Sequence, residues 1–359
     1  MAKKNRETKN DTVATKILRV IAVVLGIFVA LVALVFLGAQ LYFGVPVIDF
    51  YKSSEKAFVI PGLRDNMVPQ GLDYIESKDM YLIGGYQNDS TPSRIYRVER
   101  SSGKDLGYVS LADSEGNGVM PHAGGLAVHG DYVFVAGDAD ACLYVYSLDD
   151  VLNSNSGALV NMVDKFPAKF FAEELNVAFV CFSDEGLIIG EFYREPNYPT
   201  PESHTVVCPT GEENHAIAVC YHFSDDETSI CGISTKPSEA YSLPGLVQGM
   251  AVYDGKMWIS QSYATAKSTI CCYDVFGTEP VSKFFNPYSG IAKEAEVLPV
   301  YALDSDTLVS TFEAPPMAEE IIIIDGKMYI MCESASNKYI FGNLTGGRWC
   351  YATDISIAG

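Results

Sequence analysis

Eleven side chains able to bind or react stand at two recurring places in the chain. Gln70, His122, Gln248, Glu319 and Glu320 open apolar runs, and Tyr86, Asp138, Glu191, Gln261, Tyr263 and Glu333 close the runs that follow. An imidazole among carboxyls can act as a general base or help to ligate a divalent cation such as calcium. His122, Glu191 and Glu320 are therefore the candidate catalytic set, and all eleven are candidate binding residues. No metal is specified by their spacing. Carboxyls gathered without Lys or Arg repel one another, and a cation, shared protons or a hydroxyl-rich ligand would relieve that repulsion. Tyr86, Tyr193 and Tyr263 offer ring faces on which a sugar could stack. Each group also has a plain structural role open to it. His122 could bond a neighbouring sheet and fix its tilt, and the 22 tyrosines could pack between sheets. His129, His204, His215 and His222 read as turn, loop or strand-surface residues.

Established catalytic wording is missing. The chain has no G-x-S-x-G, H-E-x-x-H, G-x-x-x-x-G-K-[ST] or EF-hand loop. Asp138-Ala139-Asp140, Asp304-Ser305-Asp306 and the Asp113–Gly118 turn could each hold a cation weakly, but they read first as solvated turns. Asn88-Asp89-Ser90 and Asn343-Leu344-Thr345 match glycosylation sequons.

The elements that must position these groups are written five times. QGLDYIESKDMYLIGGY (70–86), GGLAVHGDYVFVAGD (124–138), AFVCFSDEGLIIGEFY (178–193), QGMAVYDGKMWISQSY (248–263) and EEIIIIDGKMYIMCES (319–334) share one pattern. Each is an apolar strand, a tight polar turn and a second strand, which predicts a β-hairpin. A third apolar run follows each: SRIYRVER, ACLYVYSL, HAIAVCYHF, STICCYDVF and NKYIFGNL. Fourth strands follow in the fuller units, at 107–111 and 307–314. Loops at Arg194–Asn214 and Asn286–Leu298 account for the longer third and fourth spacings. PAKFFAEEL (167–175) reads as one short helical turn.

Four short antiparallel strands repeated radially predict an all-β protein, a β-propeller of five blades. A sixth blade would have to be a degenerate one hidden in an insertion, and a β-sandwich would leave the repetition unexplained. The fifth unit is short of an outer strand, which Lys56–Ile60 could supply to close the ring. In such a blade the start of strand one and the end of strand two lie on one face of the disc. The eleven side chains would then surround one tunnel mouth.

The phrases MPHAGGLAV (120–128), VPQGLDY (68–74), LVQGMAVYDGKMWISQSY (246–263) and APPMAEEIIIIDGKMYIMCES (314–334) resemble a family of exported or membrane-anchored β-propeller proteins of Gram-positive bacteria. The resemblance covers most of residues 55–355. It implies a fold and an address, and brings no activity with it. A looser similarity to lactonase-type propellers rests on fold alone, which does not carry function.

Charge gives the address independently. The chain of 359 residues has 25 Lys and Arg against 45 Asp and Glu, a net charge of -20. Yet residues 1–19 hold six cations (Lys3, Lys4, Arg6, Lys9, Lys16, Arg19) and two acids (Glu7, Asp11). Between this cationic flank and the acidic remainder runs an uncharged stretch, Val20–Phe43, of 24 residues. As a helix it would be about 36 Å long, enough for a hydrocarbon core of about 30 Å. A cleaved signal peptide would have a shorter apolar region ending in small residues. The expected organisation is a cytoplasmic tail (1–16), a transmembrane helix (17–43), a linker (44–54) and an extracytoplasmic propeller (55–359). Cations stay on the cytoplasmic side, which predicts N-terminus in and propeller out. Nucleic acid is excluded as a partner by the acidic charge. Nine cysteines, an odd number with no C-x-x-C, read mainly as small core hydrophobes.

Three functions fit these features. The first is a membrane-anchored module that binds a carbohydrate, a peptide or a partner through the tunnel mouth. The second is a hydrolase or lyase, lactonase-like or carbohydrate-active, working through the His and carboxylate ring with or without a divalent cation. The third is assembly with another envelope protein.

Overall fold

The computed structural model describes residues 13–137, 141–171, 173–285, 297–339 and 342–358. The chain divides into two compact units, Met1–Tyr42 and Phe43–Gly359. The first is formed by helix α1 (Val13–Gly44), which is rich in Leu, Ala and Val and buries none of its residues. Pro46, which lacks a backbone N–H, follows its end. Among the described residues α1 belongs to the one stretch long and apolar enough to cross a membrane, as a single-pass anchor or a signal sequence.

The second unit is almost entirely β. Helix α2 (Ile48–Ser53) leads into β1 (Ser54–Val59). The first repeat contains β2 (Met67–Ile75), β3 (Met80–Gln87), β4 (Arg94–Glu99) and β5 (Lys104–Ala112). The second contains β6 (Leu126–His129), β7 (Tyr132–Ala136), β8 (Cys142–Ser147), helix α3 (Leu148–Asn153) and β9 (Leu159–Pro167). Residues 167–175 do not form the expected helical turn; β10 (Lys169–Phe170) pairs with β11 (Glu173–Glu174) instead. Phe170 and Leu175 are buried there, and an extended segment delivers both to the core.

The third repeat is β12 (Val177–Phe182), β13 (Gly186–Glu191), the small pair β14 (Val206–Val207) and β15 (Glu213–Asn214), β16 (Ala216–His222) and β17 (Glu239–Leu243). The fourth is β18 (Val247–Tyr253), β19 (Lys256–Gln261), β20 (Ser268–Tyr273), the inserted β21 (Ser282–Phe285) and β22 (Val297–Ala302), and β23 (Leu308–Ala314). The inserted pair does not stay with its own repeat, because β22 joins β17 in parallel. The fifth repeat is β24 (Ala318–Ile324), β25 (Lys327–Cys332) and β26 (Trp349–Asp354). Its third strand is thus not NKYIFGNL (337–344), as the run of apolar letters suggested, but the segment after it.

Two of the hairpins turn at Asp254-Gly255 and Asp325-Gly326, where all four residues have positive φ. Such two-residue turns match the natural twist of the strands they join. Strand β1 lies against β26, with Lys56 opposite Tyr351 and Phe58 opposite Cys350, so the fourth strand of the last repeat comes from the start of the unit.

The first strands of the repeats pack in a cycle: β2 against β6, β6 against β12, β12 against β18, β18 against β24, and β24 against β2. Five apolar clusters lie between successive repeats. The last joins Phe58, Tyr329 and Cys350 to Leu72, Tyr81 and Ile83 of the first repeat. Glycines make these approaches close. A Cβ on Gly71 would fall 2.5 Å from the Leu126 nitrogen, and one on Gly125 would fall 2.5 Å from that of Val180. All nine cysteines are free thiols, eight of them buried.

Candidate functional site

Register breaks, rather than residue types alone, bring the polar groups inward. Pairing between the first and second strands skips Gln70 in the first repeat, Ala178 in the third, Gln248 in the fourth, and Glu319 with Glu320 in the fifth. A bulged residue leaves the ladder and its side chain is re-aimed. The second repeat has no such break, since β6 begins only at Leu126.

Gln70, Glu319 and Glu333 come together at the junction of the first and fifth repeats. Gln70 Nε2 donates to Glu333 Oε2 at 2.9 Å, and the Tyr339 hydroxyl donates to Glu333 Oε1 at 2.6 Å. Glu319 is 2% exposed. Burial, followed by the charges of Glu333 and Glu320, raises its carboxyl well above the ordinary range. Burial raises Glu333 too, but Tyr339, Lys338 and Gln70 oppose that rise. Both carboxyls are thus raised, with more groups favouring the charged form of Glu333 than that of Glu319. Lys338 also donates to the Tyr86 hydroxyl and sits 4.9 Å from that ring's centre. The exposed His122 stacks on the other side of this group, 4.7 Å from Tyr86 at 26°.

All five first strands line a cavity of about 200 Å³ whose walls include Asp73, Cys181 and Glu320. Glu320 Oε1 accepts from the Met250 amide at 3.3 Å, while its buried Oε2 has no hydrogen-bond partner among the described residues. Asp73 accepts from the amides of Tyr74 and Val128, at 2.7 and 2.6 Å. Those bonds favour its charged form, yet burial outweighs them and lifts its pKa to about 7. Glu320 is raised well above its ordinary value by burial first and by Asp73 among its other influences.

The remaining candidates make contacts of their own. Glu191 is fully buried and already committed: it accepts from the amides of Asn176 and Ile217 and bonds His204 Nδ1 at 2.8 Å. His204, read from sequence as a loop residue, is therefore 0% exposed, anchoring the Arg194–Asn214 insertion to the third repeat. Gln261 donates to the Gly245 carbonyl at 2.7 Å and accepts from Cys271. Tyr263 stacks under Arg194 at 3.8 Å, and Tyr193 on His215 at 4.7 Å. Gln248 is half-buried in its bulge. Asp138, and with it the Asp138-Ala139-Asp140 turn, lies outside the described residues.

Three participants were missed in the sequence: Asp73, Lys338 and Tyr339. Asp73 was findable, because the matching repeat positions hold Ala127, Cys181, Ala251 and Ile322. An acid among four uncharged residues at an inward position marks a polar site. Lys338 and Tyr339 were hidden inside the run misread as a strand.

No family model matches the chain, and no curated protein matches it in sequence. Among solved structures it is similar to Myxococcus xanthus glutaminyl cyclase, at 10% identity and a TM-score of 0.41, covering 84% of this chain and 94% of that one. It is similar as well to the PQQ-bound aldose sugar dehydrogenase of Streptomyces coelicolor, at 12% identity and 0.40, covering 83% and 95%. A β-propeller domain from Myceliophteria thermophila aligns at 7% identity and 0.38, covering 84% and 99%.

Proposed function

We propose that the chain is a membrane-anchored, extracytoplasmic five-bladed β-propeller that binds a hydroxyl-rich ligand, a carbohydrate, at one mouth of its central channel. The cyclic packing of the first strands and the seam made by β1 and β26 support closure at five blades. The cationic flank before α1 and the acidic charge after it support the orientation. One observation carries the ligand class: two carboxyls with raised pKa, Glu319 and Glu333, gather with the amide of Gln70, the hydroxyl of Tyr339 and the Tyr86–His122 stack. Vicinal hydroxyls both donate and accept, and sugar rings have apolar faces that settle on aromatic ones.

The test is a glycan microarray probed with the full chain in detergent, followed by calorimetry on the best binder. Glu333→Gln and Gln70→Ala should each weaken binding at least about tenfold, the loss expected when a buried polar partner is left unsatisfied. Absence of binding to any glycan, or binding indifferent to both substitutions, would remove this reading. A second reading rests on the same pair, since two neighbouring carboxyls with raised pKa can serve acid–base chemistry. It expects turnover of glycosides, lactones or esters that disappears in Glu319→Gln.

A further inference from the structure

Cys220, His222 and Glu239 stand away from the channel, on the third repeat. Their Sγ, imidazole nitrogen and carboxylate oxygen all lie within 4.8 Å of one another. The strand pattern builds this cluster. Cys220 and His222 are two apart on β16 and so share a face, and Glu239 on β17 is directly opposite Cys220. Glu185, in the turn before β13, approaches His222 from the other edge.

The geometry around His222 is unusual for an ion pair. Its Nε2 is 3.5 Å from Glu185 Oε2 and 3.5 Å from Glu239 Oε2. Both separations exceed the usual hydrogen-bond range, and this buried nitrogen has no hydrogen-bond partner among the described residues. A tetrahedral ion with metal–ligand bonds of about 2.0–2.3 Å holds its ligands about 3.3–3.8 Å apart. The His222 nitrogen already has that spacing to each of two carboxylate oxygens. The Tyr241 hydroxyl donates to the other oxygen of Glu239 at 3.0 Å, which orients the carboxylate as supporting residues do around metal sites. A cavity of about 250 Å³, lined in part by Glu185, Glu239, Tyr241 and Tyr301, gives an ion access.

We infer that Cys220, His222 and Glu239, with Glu185 beside His222, form a binding site for a divalent transition-metal ion, with zinc the best match. A thiolate and an imidazole disfavour calcium and magnesium, which require oxygen donors, whereas the mixed sulfur, nitrogen and oxygen set suits zinc or cobalt. On binding, the Cys220 thiol gives up its proton to solvent and a metal–sulfur bond forms, so no oxidant or reductant is involved. This site is independent of the channel mouth and of any carbohydrate bound there.

Cobalt(II) titration of the full chain in detergent tests it, because thiolate ligation gives a charge-transfer band in the near-ultraviolet. One equivalent should bind with that band, and zinc should displace it. Cys220→Ser should abolish the band, whereas Cys231→Ser, which removes the half-buried thiol, should leave it. His222→Ala, a half-exposed position that can be changed without opening the core, should weaken zinc binding at least about a hundredfold, beyond the usual effect of losing a supporting residue. No stoichiometric binding, binding without the band, or a band that survives Cys220→Ser in a folded protein would overturn the site. Unchanged zinc affinity in His222→Ala would overturn it equally.

Discussion

Phe58→Ala should lower the unfolding free energy by about 3–5 kcal/mol, the range for emptying a buried aromatic site. Phe58 is 2% exposed and packs at 4.9 Å on Tyr81 of the first repeat while its strand pairs with β26 of the fifth. It therefore spans the seam where the two ends of the β unit meet. Domains are stable by only about 5–15 kcal/mol, so one side chain at this seam accounts for a large share of the margin. Leu159→Ala, at a position 49% exposed, should change stability by no more than about 0.5 kcal/mol. Urea unfolding of the full chain in detergent, followed through Trp258 and Trp349, measures both. A loss below about 1 kcal/mol for Phe58→Ala would mean that β1 is an accessory edge rather than the closing strand.

The second large effect is on pH dependence. Asp73, with its pKa near 7, retains its proton in the folded chain at pH values where the unfolded chain has released it. Below pH 3.8 both states are protonated and the group is silent. Between 3.8 and about 7 the folded state binds the extra proton, so stability falls as pH rises, by about 1.4 kcal/mol per unit and up to about 4 kcal/mol in all. Glu319, Glu320 and Glu333 are raised as well and act in the same direction. Asp89, Asp113 and Asp354 are lowered and act oppositely, but they lie in solvent. Glu320→Gln keeps an oxygen for the Met250 amide and removes the ionisable group. It should match the parent near pH 4 and exceed it in stability at pH 8. Urea midpoints across that range decide the matter, and parallel curves for the two proteins would refute it.

The repeats were legible because a hairpin leaves a strong mark: alternating or continuous apolar runs on either side of Asp-Gly and similar turns. That a segment near Lys56–Ile60 would supply the last repeat's missing strand was legible from its absence at the other end. The bulges were not, because a one-residue slip in pairing changes no letter. They take Gln70, Glu319 and Glu320 out of the ladder, so the contacts these side chains make could not be read from the letters. The bond between Glu191 and His204 joins a strand end to an inserted loop, and neither local pattern reports the other. Likewise, nothing in the fourth repeat's insertion signals that β22 will extend the third repeat's sheet.

The most direct measurement of the carboxyl cluster is an infrared titration of the protonated-carboxyl C=O stretch in the full chain, compared with Glu319→Gln. A band persisting at pH 7 and diminished in Glu319→Gln is the expected result, since burial and the neighbouring acids raise Glu319 well above the ordinary carboxyl range. If every carboxyl in the parent protein has ionised by pH 5.5, these groups are neither buried nor gathered, and the binding mouth built on them does not exist.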